Sequence, residues 1–373
     1  MGLLARGTVP SRPKWRPIWY HKYTGTLARD LCYPARAWGT LTFPAHTNPP
    51  KNWSLTLSLR ARWLPILLSG AFLVAMVAAS QAIPCEEVLF PETAAILCGA
   101  WIQPRQAWNI NRPRMLVLMS VGSVFGLLLN LLVPWGLWGK AILGYAFCAL
   151  CMNLAAADMT PMLSAAILPV LLGTDSWTYP VAVTALVALV CLGQVLLERA
   201  GLRERIDYRP LAFKPRVALA SWGRRLLAFA LLSAPAYLTG NPLFAVPPLL
   251  VAFTELTRPD FTLRARPWRA WAVLACAGLI GSLGRAVVET AGVPLPLMVA
   301  VCFAALVLVW NGLSTWLPPA GAVVLLSFLV PYAGPLTFGI EVAVGAAAWV
   351  AVAMLFPGVR PGHVRPARLG ARS

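Results

Sequence analysis

The sequence predicts an all-α, polytopic membrane helical bundle made of two parallel tandem repeats of about six apolar segments each. Three observations carry that expectation: the composition, the placement of the basic residues, and a self-similarity with a period of about 155 residues. Of 373 residues, 59% are hydrophobic and 12% charged. A soluble domain carries about a quarter charged residues, and its core has no use for this much apolar surface. The apolar residues gather into runs at 63–83, 88–102, 115–137, 140–157, 160–173 and 179–197, and again at 225–239, 243–256, 269–288, 294–313, 318–331 and 335–356. Several approach the roughly 20 residues that cross a bilayer as a helix.

A net charge of +18 would suggest nucleic acid if the chain were soluble. Its distribution argues otherwise. Apart from Lys140 and Arg285, the 31 Lys and Arg lie in five clusters: residues 1–62, 105–114, 199–225, 258–269 and from 360 onward. If the N-terminus is cytoplasmic and each apolar run crosses once, all five clusters face the cytoplasm, as the positive-inside rule requires. Glu86, Glu87, Asp175 and Glu289 then collect on the other side. The expected location is the cytoplasmic (inner) membrane, multi-pass, with both termini cytoplasmic. Membrane lipid is an expected partner, nucleic acid is not, and self-association into a homo-oligomer stays open.

The chain accordingly divides into a basic N-terminal tail (1–62), a first membrane repeat (63–197), a basic linker (198–224), a second membrane repeat (225–356) and a basic C-terminal tail (357–373). No short apolar leader precedes the first run, and 1–62 reads as a cytoplasmic arm. Its cations and Trp15, Trp19, Tyr20 and Trp38 suit an anionic leaflet as well as they suit a solvated tail.

The repeat is read residue against residue. Leu89 to Gly126 matches Leu243 to Gly281, with Arg112-Pro113 against Arg266-Pro267 and Gly126 against Gly281. Met152 to Gly173 matches Trp310 to Pro331, pairing Asn153 with Asn311 and Pro161 with Pro319. An even number of crossings per half makes the repeats parallel and places any site between them. The fifth run of each half has about 14 residues, near 20 Å as a helix. It is either a short Pro-initiated helix among its neighbours or a re-entrant segment, which needs protein or water around it. Re-entry would put Arg199 to Arg225 outside, so the charges favour a crossing.

Ionisable groups inside a bilayer are costly and are functional candidates by default. Arg285, opposite Asn130 in the repeat, is either an anion-binding cation facing the bundle interior or a snorkelling side chain paired with Glu289 one turn on. With Arg285, Asn130, Asn153 and Asn311 are candidate substrate-binding residues. Arg258, Arg264 and Arg266, with Arg105 and Arg112 as counterparts, form basic loops before the third runs; topology accounts for them, yet at helix N-termini they would also make a cationic mouth. Glu92, Glu255, Asp158 and Glu341 are candidates for relaying protons, and each has an Arg to pair with, Glu255 with Arg258 above all.

Other chemistry has little to stand on. Cys148 and Cys151 lie one turn apart on an apolar run and read as packing. The three histidines, His21, His46 and His363, are all in the tails, so a histidine metal site in the membrane is excluded by count. There is no nucleophile with a base and no phosphate loop; neither an enzyme nor a cofactor is expected.

The run Leu317 to Ala322, "LPPAGA", with the closing "VAVGAAAWVAVAMLF" and the upstream "LLVAFTELTRPDFTLRARPWRAW", resembles the HPP family of integral membrane proteins, best over 242–356 and more weakly over 88–197. That family's histidine is Leu317 here, and the first half keeps only Thr160-Pro161. The resemblance implies a permease for a small anion, nitrite-like. The basic loop "TLRARPWRAW" between apolar spans is also similar to the fusaric-acid-resistance and aromatic-acid exporter group, which implies export of an organic acid. The expected function is therefore a transporter of a small anionic solute, with a non-transporting membrane scaffold as the rival from another class. Transport predicts that Arg285, Asn130, Asn153 and Asn311 line a polar cavity between the halves; a scaffold seals it.

Overall fold

The computed structural model describes residues 59–83, 86–211, 215–259, 261–330, 334 and 336–357. Residues 1–58 and 358–373, with the three histidines and the aromatic residues of the N-terminal arm, lie outside the described residues, while 59–62 of the expected tail begin α1. Among the described residues the chain is all-α, with twelve helices, one for each apolar run. They are α1 (Leu59–Ala82), α2 (Glu92–Leu97, continued by a π turn over Cys98–Ile102), α3 (Arg112–Leu132), α4 (Leu137–Leu154), α5 (Pro161–Leu172) and α6 (Thr178–Arg199). There follow α7 (Pro215–Leu238), α8 (Pro247–Leu256), α9 (Pro267–Ala291), α10 (Leu295–Gly312), α11 (Pro319–Leu326) and α12 (Thr337–Met354).

Two kinds of helix emerge. Eight, α1, α3, α4, α6, α7, α9, α10 and α12, have at least 18 residues and are long and apolar enough to cross a membrane. They expose Leu67, Leu131, Leu154, Val181, Leu231 and Leu308 on their outward faces, as lipid-facing surfaces do. The other four, α2, α5, α8 and α11, are too short to span about 30 Å of hydrocarbon. Every residue of α2, its π turn, α8 and α11 is buried, as is α5 from Pro161 to Val170. Backbone that ends inside an apolar bundle is tolerated only when protein surrounds it. Here the four short helices form the interior, α2 packing on α5 and α11, and α8 on α5 and α11, with the long helices around them.

Local sequence accounts for where helices start and stop. Asn111 caps α3 by accepting from the backbone of Arg114 at 3.1 Å, ahead of Pro113. Pro161, Pro247 and Pro319 open α5, α8 and α11, and Pro91 immediately precedes α2; a first-turn proline removes an N–H that would otherwise lack a partner. Gly173 and Gly292 end α5 and α9 in the left-handed region, at φ 69° and 64°, which an L side chain rarely adopts.

The long helices exchange partners. α3 packs on α4, α5 and α6, and α9 packs on α10, α11 and α12, but α1 lies against α10 and α7 against α4. Gly126 of α3 lies on the backbone of α5 at Ala166, and Gly281 of α9 on the backbone of α11 at Val324; a Cβ on Gly281 would sit 2.8 Å from the Val324 carbonyl oxygen. Small residues are what allow backbones so close.

Candidate functional site

A helix leaves its last carbonyls without intrahelical partners, and within an apolar bundle water does not satisfy them. The short helices solve this with side chains. Asn130 donates to the carbonyls of Pro169 and Thr174 at 2.6 and 2.9 Å, closing α5. Arg285 donates to Ser327 and Val330 at 3.2 and 2.6 Å, closing α11. Arg203 donates to Gln103 and Gly99 at 2.7 and 3.5 Å, closing the π turn of α2. Arg264 bonds Leu256 at the end of α8 and reaches Ala353 and Phe356 at the end of α12, at 3.1 and 2.6 Å. Burial pushes the Arg203 guanidinium down to about 10, with the charge of Glu198 opposing; it remains a cation at neutral pH.

The basic loops share one end of the bundle, tied together by Arg105 with Glu204 at 2.7 Å and by Asn109 with the backbone of Arg209 at 2.7 Å. Just inside this end, where α8 meets α5 and α7 meets α4, ionisable residues of both halves converge. Arg258, after α8, forms a buried ion pair with Asp158, before α5. Glu255 accepts from Trp108 Nε1 and Thr160 Oγ1, each at 2.8 Å. Arg225 of α7 donates to Thr257 at 2.8 Å and lies 4.7 Å over the Trp222 ring. The hydroxyls of Tyr145 and Thr254 join across the same seam at 3.0 Å. Asp158, Arg225, Glu255 and Arg258 are all at most 7% exposed, and Arg258 Nε has no hydrogen-bond partner. At the matching contact of α2 with α11 and of α1 with α10, aromatic residues gather, Trp310 lying 5.2 Å from Trp316 and 6.5 Å from Phe303, and Arg62 of α1 donates to Asn311 of α10.

The candidate residues fall into separate places. Arg258, Asp158 and Glu255 are gathered into this cluster, but Arg258 pairs with Asp158 rather than with Glu255, whose carboxylate is held by Trp108 and Thr160. Arg112 pairs with Glu198 at the end of α6, and Arg266 is exposed before α9. Arg285 pairs with Glu289 at 2.6 Å as well as capping α11. Arg285, Asn130, Asn153 and Asn311 are not brought to one cavity. The first two sit where the short helices end, while the other two sit at the opposite end of the bundle, each bonding a carbonyl of its own helix, Ala149 at 2.6 Å and Val307 at 2.8 Å; Asn311 also accepts from Arg62 at 2.9 Å. Glu341 accepts from Asn241 at 3.1 Å. Glu92 is 1% exposed at the first turn of α2 and accepts from the Ser164 hydroxyl of α5.

Sequence reasoning missed Arg225, Tyr145, Trp108, Thr160 and Arg203. For Arg225 a signal existed. The apolar run begins at 225, so the arginine reads as the last residue of the basic cluster at the run's edge, whereas the helix begins at Pro215, and a proline is a helix-start signal. Trp108 and Thr160 carry no such signal, because their role comes from Glu255, which is remote in sequence. Comparison with protein-family models, with curated proteins and with solved structures finds no match to this chain.

Proposed function

We propose that the chain is a multi-pass permease of the cytoplasmic membrane for a small anion, nitrite-like or a small organic acid, built from two parallel tandem units. The observation that carries this reading is the cluster of Asp158, Arg225, Glu255 and Arg258 buried at the seam between the two halves. Desolvating charges in such a place is expensive, and replacing a buried ion pair by apolar residues is often neutral or stabilising, so stability alone does not account for the cluster. The other seam holds Trp310, Trp316 and Phe303 and one Arg62–Asn311 hydrogen bond, and among the described residues no ion pair crosses it.

The duplication is supported by matching contacts. Asn130 and Arg285 are repeat partners and cap the fifth helix of their own halves; Gly126 and Gly281 are repeat partners and seat those same helices. The exchange of α1 onto α10 and α7 onto α4 is reciprocal.

In this reading an anion reaching the basic end competes with the Asp158 carboxylate for Arg258. Winning that exchange loosens the principal ionic tie between the halves and lets the packed short helices separate. The polar cavity expected around Arg285, Asn130, Asn153 and Asn311 is not formed, which by itself favours the scaffold; in the permease reading Arg285 becomes a helix cap rather than the substrate ligand. The anionic substrate class rests on Arg258 and Arg225 and on the resemblance of Leu317 to Ala322 to the HPP family; the aromatic-acid exporter resemblance offers a second class of anion. The test is flux of labelled nitrite, nitrate and an aromatic carboxylate in proteoliposomes. Flux of one of them that Arg258→Ala abolishes in folded protein supports the permease, and the anion that moves separates the two substrate classes. No flux of any anion through folded wild-type protein returns the chain to the scaffold reading.

A further inference from the structure

Glu92 stands apart from the cluster just described. It lies on the first turn of α2 beside the first turn of α5, and it is 1% exposed. Ser164 donates to its Oε1, and Oε2 is buried without a hydrogen-bond partner. Among the described residues the ion pairs do not include it. Its neighbours offer no countercharge. α5 and α11 carry no titratable side chain; α1 carries only Arg60 and Arg62, near its start at the basic end; in the π turn there is Cys98. On α6, Cys191, Glu198 and Arg199 belong to the basic end, while Tyr179 packs edge-on against Phe90 and gives its hydroxyl to Ala165 at 2.9 Å. Glu87, on the turn before α2, is a further acid rather than a cation.

Within the repeat, the position of Glu92 is held by Val246 and that of Ser164 by Ala322, and both of these are buried. The second half therefore packs the same junction with apolar side chains. Packing does not require a carboxyl at this place, and a carboxyl without a cation is costly in such surroundings. The nearby helix N-terminus favours an anion, but that effect is small against desolvating an unpaired carboxylate.

We infer that Glu92 is a proton-binding site at the junction of α2 and α5, the proton residing on Oε2, and that it couples movement of the anion to movement of a proton in the same direction. This rests on the permease reading for the coupling and on the geometry alone for the proton. In one cycle the Glu92 carboxylate accepts a proton from the side the anion enters and releases it on the other, leaving the residue as it began.

Infrared difference spectra between neutral and alkaline pH, on protein in lipid, test the proton directly. Wild type is expected to lose a carboxylic-acid carbonyl band that is missing from Glu92→Gln. Glu92→Val, which installs the residue of the matching position, provides a second variant where the amide fails to fold. In proteoliposomes with an interior pH dye, inward nitrate flux by wild type is expected to acidify the lumen, and Glu92→Gln to lose that acidification. Absence of the band in wild type, or its persistence in both variants, overturns the inference whatever the flux. A wild-type protein with the band but no flux of any anion leaves the proton site standing and removes the permease reading instead. Nitrate flux that acidifies the lumen equally in Glu92→Gln overturns the coupling.

Discussion

Arg258 and Asp158 form the ion pair on which the proposed seam turns, and their worth follows from burial. Breaking a buried pair by removing one partner costs about 3–5 kcal/mol because a charge is left stranded, whereas replacing both by apolar residues is often neutral. Arg258→Met and Asp158→Leu are each expected to destabilise the protein by that amount, and the double substitution to recover most of it; a thermodynamic cycle from reversible unfolding in mixed micelles measures this. The double variant is nonetheless expected to lose anion flux. Recovered stability together with retained flux would remove the pair from the mechanism. Arg285 gives a contrasting case. Its bonds to Ser327 and Val330 satisfy carbonyls whose orphaning costs about 1–3 kcal/mol. Arg285→Ala should lose roughly this much, while Arg285→Asn, which copies Asn130, should lose less. Equal losses in thermal unfolding would show that capping is not its role.

At the scale of elements, the short helices explain most of what is unusual in the chain. A helix of 8 to 12 residues saves no backbone partners unless its ends are closed, and each is opened by or just after a proline and closed by an arginine or an asparagine. Their close seating depends on the absence of side chains on the long helices. Gly126→Leu and Gly281→Leu should each push a short helix away and destabilise the fold by about 1–3 kcal/mol or more; the same change at the exposed Gly223, which has no atom within reach of a new Cβ, serves as control. A similar loss at Gly223 would discount the packing argument. The apolar runs, the prolines and the near-equal spacing of the helices are legible in the sequence alone. The caps were not, because Arg203 reaches a helix about a hundred residues earlier, and a loop arginine with such a task looks like any other basic loop residue.

For the whole molecule, the orientation is the feature most open to a direct experiment. Arg205 and Asp175 are both exposed, at opposite ends of the bundle. With the native cysteines replaced, Arg205→Cys is expected to react with a membrane-impermeant maleimide only after the cells are opened, and Asp175→Cys in intact cells. The reverse pattern would invert the topology argued from the basic clusters. Composition and apolar segmentation by themselves determined that the described residues are all-α and how many helices the apolar runs form, because burial of a backbone in an apolar medium leaves the helix as the local solution for each run. Charge spacing likewise determined which loops share an end. Only the tertiary structure decided which ionisable groups meet. The exchange of α1 and α7 between halves and the enclosure of the short helices bring Arg225, Glu255 and Arg258 to Asp158, and leave Arg285 and Asn130 at helix ends. Those are contacts between residues up to a hundred positions apart, and side-chain partnership across such distances is set by packing geometry, which no local pattern encodes.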